Sequence, residues 1–317
     1  KAALAGTFAS TYTGNIVIND ADTTGIVATD ITAIEAATNG TVTVSNNINL
    51  TGTSAEIAAA VADVNTFSGT PTATLSDAHT LAELKAINNK LSGTLTLNDV
   101  TVALSGSSAD VAAALAGTFT SGYTGNATTT DAHTISELIA INNATTGTIT
   151  LHDKTVALSG SISDIKAALA GTFASSYTGN VTITDGNGTA VTATDLTTID
   201  GDTSGTITVS NNINITGTSA AIASAVQVVD TFSGTPTATL GNAHTLAELK
   251  TINNAISGTI ALNDYTVALS GTSADVAAAL AGSFAASYTG NATLSDAHTL
   301  AQLKTINNAT DGTITLN

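Results

Sequence analysis

The chain repeats itself, and the length of the repeat limits what it can fold into. Residues 66–89 read TFSGTPTATLSDAHTLAELKAINN and residues 231–254 read TFSGTPTATLGNAHTLAELKTINN, three differences across an offset of 165. The same offset carries Lys1, which opens KAALAGTFAS, onto Lys166, and separates the two prolines, Pro71 and Pro236. A shorter period lies inside it. A Gly-Thr pair heading an alternating strand pattern recurs at Gly40, Gly93, Gly147, Gly205, Gly258 and Gly312, in steps of 53, 54, 58, 53 and 54. The chain is therefore an array of units of about 54 residues in 165-residue triplets. A partial unit at 1–39 is followed by units at 40–92, 93–146, 147–204 (with an insertion), 205–257 and 258–311, then a second partial unit at 312–317. Because 1 and 317 match positions inside a helical pattern and at a strand end, the chain is expected to be a window on a longer polypeptide.

Within a unit the pattern predicts strand–strand–helix–strand–helix. In 93–146, Gly93 to Leu97 alternates polar and apolar, Asn98-Asp99 turns the chain, and Thr101 to Leu104 alternates again. That turn reads equally as a hairpin or as a corner between stacked layers. Ser107 to Asp110 forms a capping box opening a short helix, with Gly117 placed to end it in the left-handed conformation. The box recurs as Thr53…Glu56, Ser161…Asp164 and Thr272…Asp275, while Thr218 has Ala221 instead of an acid. A third strand is expected near Thr124 to Thr130. A second helix then opens at Thr134…Glu137, matched by Thr80…Glu83, Thr245…Glu248 and Thr299…Gln302. Helices of about ten residues do not persist alone in water, and one unit buries too little surface to be secure. Stacked neighbours sharing one core answer both problems, so the predicted fold is an α/β repeat solenoid. With all three strands of a unit in one sheet at about 4.8 Å spacing, each unit would advance roughly 14 Å.

Composition narrows the function. The net charge of −17 comes from 24 acidic against 7 basic side chains, which repels phosphate backbones and argues against a nucleic-acid partner. At 43% hydrophobic and 3% aromatic, the apolar material is mostly small and suits thin stacked layers. All six Phe occupy one slot of the unit and four of the five Tyr a second, as repeated core wedges would. No apolar run is long enough for a membrane span. Without cysteine there is no disulfide framework, thiolate zinc site or thiol catalysis.

Candidate sites recur too. An Asp (once Asn) stands two residues before a His at Asp77/His79, Asp131/His133, Asn242/His244 and Asp296/His298. The pair could serve a metal or a catalytic triad. A helix entrance, with the acid near the positive end and a partly exposed His, accounts for its recurrence better. The inserted loop carries Asp20, Asp22 and Thr24 leading on to Asp30, matched by Asp185, Asn187 and Thr189 leading to Asp195. Alternating oxygens with a later carboxylate suit a hard cation such as calcium. The glycine falls at position 4 in the second copy and neither copy ends in Glu, which favours a plain polar turn. Thr94/Thr96, Thr148/Thr150 and Thr313/Thr315 invite an ice-binding ladder, but the pattern is diluted over a long unit, and polar outer strand faces explain it. Asn-x-Thr sequons at Asn126, Asn180 and Asn291 would matter only in a eukaryotic secretory setting. No phosphate-binding glycine loop or zinc-protease motif is present, and no enzyme is expected.

The segments Leu104-Ser-Gly-Ser-Ser-Ala-Asp-Val-Ala-Ala-Ala-Leu115, and Ala193 to Ile199 before Thr203 to Val209, resemble repeats of very large surface proteins of marine bacteria and cyanobacteria. The resemblance covers the whole chain through repeat style. It implies secretion, calcium-rich surroundings and a role in surface layers, adhesion, sheath or gliding. The glycine-rich nonapeptide of calcium-binding β-rolls is not found in the sequence, so that mechanism does not carry over. The expected partner is self, as homopolymer or lattice, with glycans or cell-surface polysaccharide as a further class. The expected function is an extracellular fibre, sheath or surface layer, with a calcium-dependent adhesin stalk as the alternative.

Overall fold

The computed structural model describes residues 4, 5 and 10–317; the Phe8 member of the aromatic series lies outside them. Among the described residues the chain is mixed α/β, with 11 helices and short strands that pair only in parallel. It divides into two compact units, residues 1–154 with 170–175 and residues 155–169 with 176–317. The first holds α1 (Ala28–Glu35), α2 (Ser54–Asp63), α3 (Leu81–Asn88), α4 (Ser108–Leu115) and α5 (Ile135–Ala144), beginning 26 or 27 residues apart. The second holds α6 (Ile162–Leu169), α7 (Ala193–Asp202), α8 (Ser219–Val228), α9 (Leu246–Ala255), α10 (Ser273–Leu280) and α11 (Leu300–Ala309). Their steps are 31 across the insertion and 26 or 27 thereafter. The structural period is thus half the sequence unit, and each 54-residue unit joins two unlike half-units.

The helices begin where the capping residues predict. Complete boxes form at Thr53/Glu56, Thr80/Glu83, Thr134/Glu137, Thr245/Glu248 and Thr299/Gln302. In the aspartate versions the hydroxyls of Ser107 and Thr272 still accept the third N–H, but the shorter carboxylates do not reach back. Asp110 and Asp275 turn instead to Lys85 and Lys250 of the preceding half-unit. Gly117 also departs from expectation, since it is not among the left-handed residues. An added Cβ there would lie 2.0 Å from Asn88 Oδ1. The position is glycine because a neighbour's side chain passes over it.

The strand pairing corrects the layer expected from sequence. Asn49–Gly52, Thr72–Leu75 and Leu95–Thr96 lie side by side with Gly25–Val27 in one four-stranded sheet. Partners are 22 to 24 residues apart (Gly25↔Asn49, Asn49↔Thr72, Ala73↔Leu95), fewer than the helix step. Each successive strand therefore sits farther ahead of its own helix, until a new sheet starts at Leu104–Gly106 beside α4. That strand pairs with Ala127–Thr129, which pairs with Ile149–Thr150. The strands of one unit so belong to two sheets, and Asn98-Asp99 is a corner between them rather than a hairpin. The drift also gives 40–92 a fourth strand, with Val42–Val44, Asn49–Gly52, Thr66–Phe67 and Thr72–Leu75 all formed. The second unit builds three parallel sheets in the same way, of four, five and three strands.

Beneath the sheets runs a core of small aliphatic side chains. Ile57, Ala60, Leu84, Ile87, Leu95, Val111, Ala114, Leu138 and Ile141 are inaccessible in the first unit. Tyr123, Tyr177 and Tyr288 are buried at 1% exposure, as a wedge should be, whereas Tyr12 of the same slot is exposed and Phe67, Phe119, Phe173, Phe232 and Phe284 are only half-buried. The Gly of the recurring Gly-Thr pair has a single cause in all six copies. A Cβ at Gly40, Gly93, Gly147, Gly205, Gly258 or Gly312 would fall 2.3–2.4 Å from a carbonyl oxygen of the preceding half-unit. Gly147→Ala should therefore lower the urea midpoint by the equivalent of about 1–3 kcal/mol, the range for overpacking. Gly122→Ala, where nothing lies within 4 Å, should leave it unchanged or slightly raised.

Candidate functional site

The polar residues that sequence analysis singles out converge on the helix N-termini, where unpaired N–H groups and the positive dipole end await acceptors. Asp77 Oδ1 accepts the Ser54 N–H at 2.7 Å, so the acid caps the helix of the preceding half-unit, α2, rather than its own. Ser54 Oγ donates to Glu83 Oε2 at 2.9 Å, and Glu83 also accepts the Thr80 N–H at 2.8 Å. The arrangement recurs with Asp131, Ser108 and Glu137, with Asn242, Ser219 and Glu248, and with Asp296, Ser273 and Gln302. Burial pushes the Glu83 carboxyl up, but the hydrogen bonds from Thr80 and Ser54 outweigh it and hold the group below its ordinary range. Glu137 and Glu248 behave alike.

Three of the four histidines are buried and not partly exposed entrance residues, whereas His298 is half-buried. His79, His133 and His244 are 3–4% exposed. His79 Nε2 lies 3.0 Å from Tyr123 Oη, and that hydroxyl donates to the Val102 carbonyl at 2.6 Å. A hydroxyl has one proton, so the imidazole is the donor and carries its hydrogen on Nε2. The buried Nδ1 has no partner. His244, Tyr288 and Val267 repeat the chain at 3.1 and 2.6 Å. Burial holds His79 and His244 below the ordinary histidine range against the nearby carboxylates, Asp99, Glu83 and Asp77 in one case and Asp264 and Glu248 in the other. The Tyr123 and Tyr288 hydroxyls are pushed up by burial and by Asp99 or Asp264. A neutral imidazole wedged under a neutral phenol joins three successive half-units. Sequence analysis missed the partnership, although the His and Tyr slots stand a constant 44 residues apart.

The calcium candidates are drawn toward neighbouring backbone. Asp185 Oδ2 accepts the Ile162 N–H that opens α6 at 2.7 Å, and Asn187 Oδ1 accepts the Asn212 N–H at 2.9 Å. Asp195 pairs with Lys166, and Thr189 N–H closes a turn on the Gly186 carbonyl at 3.1 Å. In the first copy, Asp22 Oδ1 accepts the Asn47 N–H at 2.8 Å, and Thr24 N–H bonds the Ala21 carbonyl at 3.1 Å. Asp20, Thr24 and Asp30 line one depression of about 320 Å³ among Ile18, Ile26 and Ile31. Among the described residues no group of three or more His, Cys, Asp or Glu side chains is placed to hold a metal ion.

The Thr pairs are less diluted than the long unit implies. Thr74 pairs with Thr96 on adjacent strands, and Thr96 Oγ1 lies 2.8 Å from Thr120 Oγ1, in the bend after the isolated Leu95–Phe119 bridge. The exposed sequon residues Asn126, Asn180 and Asn291 have a structural duty, accepting the N–H of Thr148, Thr206 and Thr313 at 2.9–3.0 Å. No protein-family model, curated protein or solved structure matches this chain.

Asp77→Ala should cost about 1 kcal/mol in urea denaturation, the usual worth of an N-terminal cap, while Asp77→Asn should cost much less, because Asn242 does the same work in its own copy. The buried histidines bind a proton less readily when folded than at their ordinary value of 6.5. Their stabilisation is complete above pH 6.5 and is lost as pH falls from there toward the folded value. The carboxylates Glu83, Glu137 and Glu248 contribute above 4.5 and fail only below it. Urea midpoints should therefore drop between pH 6.5 and 4.5, and the drop should shrink in a His79→Gln/His244→Gln variant. An unchanged slope in that variant would refute the assignment.

Proposed function

We propose that this protein is a structural, self-associating extracellular repeat protein, an α/β solenoid that contributes length and stiffness to a fibre, sheath or surface layer. One observation carries this reading: the recurring polar side chains act on the neighbouring half-unit, 22 to 29 residues away, and not on a common centre. Residues kept for chemistry would converge on one another. These residues instead join layer to layer, so each added layer extends the same structure. The −17 charge keeps such a rod soluble, or lets divalent cations bridge it to its neighbours. Self-association is the partner, with cell-surface polysaccharide a second one, and no enzymatic role is assigned.

A second reading makes the chain the stalk of a large calcium-dependent adhesin. It draws on the depression lined by Asp20, Thr24 and Asp30. Calcium titration followed by thermal unfolding separates the two: a rise in Tm that is lost in Asp20→Asn/Asp30→Asn favours the stalk. The weaker ice-binding alternative rests on the Thr74, Thr96 and Thr120 rungs, and thermal hysteresis tests it. For the main reading, electron microscopy of the native material should show filaments or a lattice. Isolated compact monomers would overturn it.

A further inference from the structure

We infer that copies of this chain associate side by side through the outer faces of their sheets, one row of threonines against another. The inference rests on the structural reading above and names the surface through which one copy meets the next.

Charge singles out that surface. The chain has 24 acidic and 7 basic side chains, yet among the described residues none of them, and no histidine, stands in a strand. The charges of the described residues lie on helices, turns and corners. Two copies at −17 each repel one another wherever those groups face, and least where strand faces meet. In the sheet that begins with Gly25–Val27, one outward row runs Val27, Thr51, Thr74 and Thr96 across the register pairs. Its counterpart in the second unit runs Thr192, Thr216, Thr239 and Ala261. Val27, the apolar member of the first row, is 49% exposed.

The hydroxyl protons of these faces are taken up inside the sheet. Thr51 and Thr216 donate to the Ile26 and Val191 carbonyls, each at 3.3 Å. Thr72 and Thr74 donate to Asn49 Oδ1 at 3.1 and 3.3 Å, and Thr237 and Thr239 to Asn214 Oδ1 at 3.1 and 3.2 Å. Thr120 donates to the Leu95 carbonyl at 3.2 Å, so the proton between Thr96 and Thr120 belongs to Thr96. Donors already bonded lose little on leaving water, and the threonine methyls add apolar area on contact. A sugar polymer or ice would be gripped by free donors, which these rows keep for themselves. A second copy asks for none. One sheet is small, however. The five strands of the largest, at about 4.8 Å spacing and about 10 Å long, offer roughly 250 Å². A stable complex needs roughly 800 Å² per partner. Association therefore grows with the number of repeats brought into register, as a fibre or sheath requires.

Sedimentation velocity of the full 317-residue chain, in a concentration series into the millimolar range, tests this. Concentration-dependent self-association is expected, and it should strengthen as sodium chloride screens the repulsion between copies. Thr74→Asp/Thr239→Asp puts a carboxylate in each row and should weaken association about tenfold. Ala59→Asp/Ser224→Asp adds the same charge at exposed helix positions and should leave it nearly unchanged. Thr74→Val/Thr239→Val keeps the methyl, removes the donor and should associate at least as well as the natural chain. Circular dichroism checks that each variant folds. Monomers throughout the series, equal weakening by both carboxylate variants, or association abolished by the valine variant overturns the inference. So does association that calcium supports and sodium chloride of equal ionic strength does not, since cations bridging the acidic groups would then hold the copies. Thermal hysteresis lost in the valine variant also overturns it, because ice would be the occupant. Native filaments with a monomeric purified chain would sink this contact alone. Association sensitive to Thr74→Asp/Thr239→Asp beside monomeric native material would sink only the structural reading.

Discussion

The first turn of an α-helix carries N–H groups that the helix cannot bond, and in a helix of eight to ten residues they are a large share of the whole. Here the cap residue Thr53 takes one such group of α2, and Asp77, 23 residues on from Ser54, takes another. The same division of labour recurs at α4, α8 and α10, with Asp131, Asn242 and Asp296 supplying the second acceptor. Helices α3, α5, α9 and α11 close capping boxes with their own residues, so it is every other half-unit that takes an acceptor from the next. In those half-units dependence on a neighbour is built into the backbone, before any apolar contact is counted.

Closeness is the second condition. A carbonyl oxygen stands where six glycine side chains would begin, and Asn88 and Asn253 pass over Gly117 and Gly282 in the same way. Ala60 and Ala114 are fully buried and small enough to let helices approach the sheets. Larger side chains at these positions would force the layers apart and break the caps, which act only at hydrogen-bond distance. The aromatic residues respect the same limit: Tyr123, Tyr177 and Tyr288 are buried, each hydroxyl bonds a carbonyl, and those of Tyr123 and Tyr288 also meet a histidine.

Charge is used sparingly inside this scheme. Lys85, Lys166 and Lys250 each pair with the first-turn acid of the next helix. These pairs are partly exposed and contribute little stability, of the order of 0.2–1 kcal/mol each. The remaining acidic groups give the chain its charge of −17 and keep like surfaces from adhering indiscriminately.

Repetition, the mixed α/β character, the helix starts and the short apolar helices were all legible in the sequence, because caps and periodic apolar positions act over three or four residues. The period of the layers was not. A 54-residue sequence unit conceals two half-units whose backbones are equivalent although their side chains differ, and only pairing across 22 to 26 residues reveals it. For the same reason the Asp before each His was recognisable as a helix-entrance acid, but not as the cap of the preceding helix. The histidine's tyrosine lies 44 residues away and has no local trace. Residue order determined what each segment would become. Tertiary structure decided which neighbour would complete it, because the missing acceptors and the space for each glycine are supplied by backbone one layer distant.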